Sequence, residues 1–244
     1  GDNNILTSVG NPVGLFYGYK TAGVFATDAE AKAAGKDGYL YMEDNAGLRN
    51  DFKAGDVHFI DQNNDGKISE LDKVVIGDPN PDIYGNIFAT INYKNLTLTM
   101  GWNYSLGNDV YNYQRSILNS GSTFYNQQVA EVAHWRYEGQ QTDLPRLAYG
   151  DPMGNNRFSD RWIEDGSYLR LKTLNLSYKV PVPGSWTWLQ GLTVWAQANN
   201  LLTFTKYLGS DPEFSIGNGV LYQGIDCGNI AQGRSFQCGV KINL

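Results

Sequence analysis

The sequence has few of the residues that several common functions require. Its 244 residues include two histidines, His58 and His134, and neither lies in a metal-ligand or nucleophile motif. Lysine and arginine number 19 against 25 acidic residues, which gives a net charge of −6, whereas nucleic-acid binding needs a basic stripe. No phosphate-cradling glycine loop is present either. We therefore expect no nucleic-acid partner and no catalytic activity.

Cysteine and long apolar runs are equally scarce. Cys227 and Cys238 are the two cysteines, and we expect both to be unpaired thiols. No window approaches the roughly 18 apolar residues of a membrane-spanning helix, and no charged-then-apolar leader opens the chain at Gly1. The first residue is not methionine, which suggests a processed chain or an excerpt. A membrane β-barrel stays compatible, because its strands alternate and their hydropathy averages out.

Glycine, asparagine and aromatic residues are abundant instead. The chain has 28 glycines, 24 asparagines and 13% aromatic residues, a mixture that suits strands joined by turns and polar loops. One helix is predicted at Thr27–Gly35, with Thr27 or Asp28 as N-cap, Glu30 in the first turn and Gly35 as C-cap. The composition therefore predicts an all-β protein with little helix.

Period-two alternation begins at Asn86 and marks the strands. It is strictest at Leu96–Leu106, whose eleven residues match the ~9–11 that a tilted strand needs to cross a bilayer. Lys94-Asn95 predicts a tight turn before it. Further alternating runs occupy 173–180, 192–199 and 235–244. If each strand turns its apolar residues to one side, the lipid-facing set includes Leu98, Met100, Trp102, Tyr104, Val194, Ala196, Val240 and Ile242.

Two long polar stretches, 107–165 and 203–233, separate these runs. Compact soluble domains rarely hold loops of that length, whereas the extracellular loops of outer-membrane barrels are often long. We therefore predict an all-β fold, an antiparallel transmembrane β-barrel segment with long extracellular loops. Residues 1–82 would form an extracellular loop region, and 83–244 the C-terminal barrel strands and loops. Trp186 and Trp188 would lie in an interfacial girdle. A soluble antiparallel sandwich would give the same alternation.

A calcium-type loop is predicted at Asp61–Asp72. Oxygen donors stand at positions 1, 3 and 5, a glycine at position 6 and a carboxylate at position 12. The predicted ligands are the side chains of Asp61, Asn63, Asp65 and Asp72 and the carbonyl of Lys67. Position 12 is Asp where EF-hands prefer Glu, and no helix precedes the loop. An Asx-rich turn without metal is the alternative.

Several long motifs resemble one known family. They are 16–25 (FYGYKTAGVF), 55–57 (GDV), 61–66 (DQNNDG), 75–81 (VIGDPNP), 156–172 (NRFSDRWIEDGSYLRLK), 199–207 (NNLLTFTKY) and 211–213 (DPE). In this order they resemble the C-terminal part of SusC/RagA-type TonB-dependent outer-membrane transporters. The resemblance spans nearly the whole chain. Leu244 departs from it, because an aromatic residue is usual at that end.

The resemblance implies a function and a set of partners. It implies the last strands of a plugged 22-stranded barrel in the outer membrane of a Gram-negative bacterium, surrounded by lipid. It implies import of glycans, oligosaccharides or sometimes peptides, with a SusD-like surface lipoprotein. TonB would act through the N-terminal plug and TonB box, which this sequence does not contain. The alternative is a soluble, calcium-stabilised β-domain of lectin or adhesin type. The sequence does not identify the transported substrate.

Overall fold

The structure is a computed structural model that describes residues 4–44, 46–185, 188–214 and 219–244. Trp186 of the proposed girdle lies outside these residues. The strands are β1 (Ile5–Leu6), β2 (Leu15–Gly18), β3 (Thr21–Val24), β4 (Tyr41–Glu43), β5 (Arg49–Asp51), β6 (Val57–Phe59), β7 (Val74–Gly77), β8 (Ile83–Tyr93), β9 (Leu96–Leu106), β10 (Asp109–Asn112), β11 (Ile163–Asp165), β12 (Tyr168–Val180), β13 (Gly191–Thr205), β14 (Ile225–Asp226) and β15 (Ser235–Asn243). The helices are α1 (Asp28–Ala33), α2 (Tyr113–Leu118) and the short 3-10 helices Glu70–Asp72, Val129–Ala133, Asp160–Trp162 and Val220–Tyr222. None of these helices is long and apolar enough to cross a membrane.

The chain contributes to two units, and each is built from separate segments. The first, which we call the loop unit, comprises Gly1–Asn80, Asp109–Glu164 and Ser215–Gly228. The second, the sheet unit, comprises Pro81–Asn108, Asp165–Phe214 and Asn229–Leu244. Much of the two long polar stretches between the alternating runs thus belongs to the loop unit. The functional division at residue 82 stays a prediction.

The sheet unit contains one five-stranded antiparallel sheet. Its strand order is β15–β13–β12–β9–β8, so each strand pairs with the next long strand along the chain. β8 and β9 are joined by the predicted two-residue turn at Lys94-Asn95, where Lys94 has φ 53°. The all-β, antiparallel fold predicted from the alternation is confirmed.

The register of this sheet separates apolar from polar residues. One row across all five strands reads Ile91, Leu98, Leu176, Ala196 and Cys238. The next row reads Thr90, Thr99, Asn175, Gln197 and Gln237. Since adjacent residues of a strand point to opposite faces, these rows lie on opposite sides of the sheet. The predicted apolar set therefore shares one face.

The alternating run in the sequence begins at residue 173, whereas β12 begins at Tyr168. A β-bulge at Lys172 explains this difference. The register shifts between Leu171 and Thr173 against both neighbouring strands. Leu169 and Leu171 thereby pair with Tyr104 and Trp102 on the apolar face, although their numbers are odd and those of Leu174 and Leu176 are even. An extra residue reverses the alternation at this point, which interrupts the period-two pattern.

The loop unit has a hydrophobic core of its own. Its small sheets are β1–β2–β7, β11–β10–β14, β3–β6 and β4–β5, and β10 and β14 run parallel. Its most deeply buried apolar side chains, each at most 3% exposed, include Phe25, Leu40, Phe52, Val57, Phe59 and Ile68. The segments that the sequence left without regular structure therefore fold around a packed interior.

Asp56 ties three segments of the loop unit together. Its carboxylate is fully buried and accepts hydrogen bonds from both Nε and an Nη of Arg146, at 2.9 and 3.0 Å. It also accepts from Asn155 Nδ2 at 3.1 Å and from the Lys53 amide at 2.9 Å. A buried carboxylate needs such partners, because its desolvation is costly without them.

The predicted helix is confirmed as α1. Thr27 is its N-cap and accepts a hydrogen bond from the Glu30 amide at 3.2 Å, while the Glu30 carboxylate accepts from the Ala26 amide at 2.8 Å. The C-cap is Ala34 rather than the predicted Gly35. Gly35 follows Ala34, and the backbone of Gly38 approaches it closely. A Cβ at position 35 would lie 2.4 Å from the Gly38 carbonyl oxygen.

The two-faced sheet generates the first prediction. We expect spin labels at Leu98→Cys and Thr99→Cys in the full-length protein, reconstituted in lipid, to report opposite environments. The label at 98 should be accessible to oxygen in lipid and the label at 99 to a water-soluble relaxant, as measured by power-saturation electron paramagnetic resonance. Cys227 and Cys238 are both free and exposed, so both are first changed to serine. Equal water accessibility at 98 and 99 would contradict the membrane-spanning assignment.

Candidate functional site

The apolar face of the sheet unit is largely uncovered by the chain itself. Ile91, Val240 and Ile242 are 53%, 59% and 57% exposed, and Phe236 is 72% exposed. A soluble domain buries such a face, whereas a membrane-spanning sheet presents it to lipid. This face has the apolar, exposed character that a lipid-facing surface requires.

The opposite face carries hydrogen-bonded polar side chains. Asn175 Nδ2 donates to Gln197 Oε1 at 3.3 Å, and Gln197 Nε2 donates to Asn199 Oδ1 at 2.9 Å. Asn199 Nδ2 then donates to Ser235 Oγ at 2.9 Å. These contacts cross from β12 through β13 to β15, so the polar face forms a connected network. It is the face suited to water and polar solutes.

Two aromatic rings on the polar face cover glycines of the neighbouring strand. Phe88 lies opposite Gly101, and Trp195 lies opposite Gly239. A Cβ at either glycine would come within 2.7 Å of the ring. Glycine permits this close cross-strand packing, and the ring in turn shields the glycine backbone.

A buried cluster of charges holds two loop segments of the sheet unit at this face. Arg170, on β12, is 3% exposed and donates to Thr203 Oγ1 at 3.1 Å, to Glu213 Oε2 at 2.9 Å and to Asp211 Oδ1. Lys172, at the bulge, donates to the same Glu213 oxygen at 3.0 Å and to Gln232 Oε1 at 2.6 Å. We call these four ionic residues, Arg170, Lys172, Asp211 and Glu213, the charge cluster.

Asp211 is the centre of the loop contacts. Its Oδ1 also accepts from the Glu213 amide at 2.9 Å, and its Oδ2 accepts from the Gln232 amide at 2.8 Å. Burial alone would raise the pKa of Asp211, but the hydrogen bonds from Arg170 and these amides outweigh it and lower the pKa. The carboxylate is thus stabilised in its charged form, and segments 206–214 and 229–232 are fixed together. Motif 156–172 contains Arg170 and Lys172, and motif 211–213 contains Asp211 and Glu213, but no local pattern shows that the two motifs meet.

The predicted calcium ligands lie in one loop, where their oxygens accept backbone hydrogen bonds. Asp61 Oδ2 accepts from the Gly66 amide at 2.7 Å, and Asn63 Oδ1 accepts from the Asp65 amide at 2.9 Å. Asp65 Oδ1 accepts from the Lys67 amide at 2.8 Å. Gly66 has φ 86°, which agrees with the sharp turn expected at position 6.

Asp72 and Lys67 have further contacts that the motif does not indicate. Asp72 is fully buried; its Oδ1 accepts from the Gln62 amide at 2.9 Å, and its Oδ2 accepts from the Ser69 amide at 2.7 Å. These bonds close the loop and cap the 3-10 helix Glu70–Asp72. Lys67 Nζ pairs with Glu43 at 2.6 Å. Across the part of the chain that the structure describes, no three His, Cys, Asp or Glu side chains converge as a metal site. Calcium therefore stays a prediction, supported by the oxygen-rich donor set.

The histidines and loop aromatics serve packing roles. His58 stacks on Phe25 with ring centroids 4.3 Å apart, and His134 Nδ1 lies 2.6 Å from the Glu131 carbonyl oxygen. Tyr111 packs edge-on against Phe158, with ring centroids 4.7 Å apart. Trp135 donates to the Ala26 carbonyl at 3.3 Å.

The calcium loop gives the second prediction. Asp65→Ala should weaken calcium binding about tenfold or more in the full-length protein, because it removes one of three carboxylates from the proposed ligand set. Isothermal titration calorimetry after chelation measures the affinity, and hydrogen exchange of 61–72 with and without calcium measures the loop. Asp44→Ala removes an exposed carboxylate outside the loop and should change neither. Calcium that leaves the exchange of the unsubstituted loop unchanged would contradict the assignment.

The charge cluster gives the third prediction. Arg170→Gln should destabilise segments 206–214 and 229–232 by on the order of 3 kcal/mol, because it leaves the buried Asp211 carboxylate without a cation, whereas Glu213 keeps its pair with Lys172. Hydrogen exchange of these segments measures the effect, and Lys172→Gln, whose side chain is 32% exposed, should have a smaller one.

The pH dependence of the charge cluster follows from Asp211. Because its folded pKa lies below its ordinary value of 3.8, its stabilisation is complete at neutral pH and is lost as pH falls through the folded pKa. Exchange in the Arg170→Gln variant that equals exchange in the unsubstituted protein at pH 7 would show that the cluster does not hold the segments.

Comparisons with known proteins agree with this architecture. No family model matches the chain. TonB-dependent receptor P3 of Formosa agariphila is 32% identical over 242 residues, which cover 96% of this chain and 22% of that receptor. TonB-dependent receptor SusC of Bacteroides thetaiotaomicron is 26% identical over 196 residues, which cover 76% of this chain and 17% of SusC. The chain thus spans less than a quarter of the length of either receptor.

A solved structure shares the fold. The RagAB peptide importer in its closed-closed state superposes with a TM-score of 0.69 at 23% identity, over 99% of this chain and 24% of that chain. Sequence and fold therefore agree along nearly the whole chain. This chain is a homologue of part of the SusC/RagA-type TonB-dependent receptors, as the sequence motifs indicate.

Proposed function

We propose that the full-length protein is a TonB-dependent importer in the outer membrane of a Gram-negative bacterium, and that this chain forms part of its barrel wall and of its extracellular loops. The observation that carries the proposal is the five-strand register, which gathers the apolar residues on one face and hydrogen-bonded polar residues on the other. A wall between lipid and an aqueous lumen requires that arrangement. The relatives named TonB-dependent receptors support it.

The proposal assigns partners and a substrate class to the full-length receptor. A SusD-like surface lipoprotein would bind on the outside, and TonB would act through the plug, a part of the receptor that this sequence does not include. The substrate would be a glycan or oligosaccharide, or a peptide. The homology to receptors supports a role in import rather than catalysis.

The lectin or adhesin alternative is less favoured. A soluble domain would have to cover the apolar residues of five strands, yet Ile91, Phe236 and Val240 are each more than half exposed. The strands β8 and β15 also each have a single partner in the sheet. In the proposed barrel, further strands satisfy the backbone groups of both edges, because a barrel has no free edge.

The fourth prediction tests the proposed function. Deletion of 235–244 from the full-length receptor should abolish outer-membrane insertion and nutrient import, because β15 could no longer pair with a further strand of the barrel. Membrane fractionation and growth on the imported nutrient measure the two effects. Lys241→Gln, on the polar face of β15, should insert and support growth. A deletion variant that still inserts and imports would refute the proposed closure through β15.

A further inference from the structure

A cavity of about 550 Å³ lies within the loop unit, and residues 67–70 of the calcium-type loop form part of its wall. Tyr19, Met42, Ser69, Glu70, Pro152 and Arg157 line it, with Lys67 and Glu43 among the remaining residues. Its volume lies in the range of about 300–1,000 Å³ that is typical of small-molecule sites. Its walls combine an aromatic ring, apolar atoms and several charges, which is the composition of a recognition site.

Two carboxylates that line the cavity are already paired with cations. Glu70 pairs with Lys73 at 2.7 Å and accepts a hydrogen bond from the Tyr19 hydroxyl at 3.2 Å. Burial raises the pKa of Tyr19 to about 12, so this hydroxyl keeps its proton and stays a donor. Glu43 pairs with Lys67 at 2.6 Å. Neither carboxylate therefore needs Arg157 as a counterion.

Arg157 is the cation without such a partner. Among the described residues no carboxylate forms an ion pair with its guanidinium. One Nη lies 2.7 Å from Met42 Sδ, a weak acceptor. The guanidinium also lies 5.6 Å from the Tyr19 ring centroid and 5.5 Å from that of Phe59. Ring faces attract a cation but accept none of its strong directional hydrogen bonds.

The arrangement leaves a positive charge in a partly dehydrated position. Burial lowers the pKa of the Arg157 guanidinium, which records the cost of holding the charge there. A planar anion would offset that cost, because the guanidinium fork matches a carboxylate with two parallel hydrogen bonds. The negative charges of Glu43, Glu70 and Asp44 along the same cavity disfavour a dianion such as phosphate. A singly charged carboxylate fits this charge pattern best.

We propose that the Arg157 cavity is a binding subsite for a carboxylate group on the molecule that the receptor imports. Arg157 binds the carboxylate, and the Tyr19 ring with Pro152 packs against the adjoining atoms. The carboxylate comes either from the C-terminus of a short peptide or from a uronic acid of an acidic oligosaccharide. The inference rests on the proposed import function and names one chemical group of the substrate.

Binding to the purified full-length receptor in detergent tests the subsite. The probes are an N-acetylated tripeptide and its C-terminal amide, and trigalacturonate and its methyl ester, each titrated by isothermal calorimetry. At least one of the two probes with free carboxylates should bind about tenfold or more tightly than its amide or methyl ester, a difference of about 1.4 kcal/mol in binding free energy. Arg157→Gln should abolish that preference while leaving the binding of the neutral probe unchanged. The peptide and sugar arms show which source supplies the carboxylate.

Two further variants separate binding from folding. Arg157→Lys keeps the charge but loses the fork, so it should recover only part of the preference. Arg49→Gln removes an exposed cation that pairs with Asp51, and it should bind like the unsubstituted receptor. If the Arg157→Gln receptor does not fold, the Arg157→Lys variant tests the subsite instead. An Arg157→Lys receptor that prefers the free carboxylate as strongly as the unsubstituted receptor would overturn the proposal.

Two further results would overturn the proposed subsite. A receptor that prefers no carboxylate over its neutral counterpart, or whose preference survives Arg157→Gln, overturns the subsite. Growth on the imported nutrient, measured in parallel, separates this failure from failure of the import function. If an Arg157→Gln strain imports the nutrient at the same rate as the unsubstituted strain, the import function stands and only the subsite is refuted.

Discussion

The sheet unit depends on one constraint, which is that cross-strand pairing must bring apolar residues together on all five strands at once. A shift of one residue in any pair would turn apolar side chains to the polar face and polar ones to the other. Rows such as Ile91, Leu98, Leu176, Ala196 and Cys238 meet this constraint. The bulge at Lys172 restores the correct face where the simple alternation of β12 fails.

Buried charges organise the segments that the alternation does not reach. In the loop unit, Asp56 connects Lys53, Arg146 and Asn155, while in the sheet unit Arg170 connects Asp211 and Glu213. Each carboxylate has several donors, which is the condition for holding it away from water. Polar loops thereby acquire fixed shapes. Arg157 differs from these residues because it is a partly buried cation without a carboxylate partner among the described residues, and this difference makes it a candidate for ligand recognition.

Each face of the sheet and the loop unit has a different proposed role in the receptor. The apolar face is suited to lipid, the polar face to an aqueous lumen, and the loop unit to contacts with substrate. The loop unit has its own hydrophobic core, so it can hold a cavity of defined shape. A cavity between packed segments is better suited to select a substrate than a flexible loop, because its groups are already positioned.

The amino-acid sequence alone predicts the all-β class, the strict alternation of β9, the tight turn at Lys94-Asn95 and the helix after Thr27. These features are local, because each depends on the period of a strand or on one capping side chain. It also identified the family, since several long motifs occur in the same order. Only the tertiary structure revealed the bulge at Lys172, the core of the loop unit and the partners of Arg170 and Arg157. Those features join residues that are far apart in the chain, such as Arg170 and Asp211 or Tyr19 and Arg157, and no local pattern encodes which distant charges will meet and which will remain unpaired.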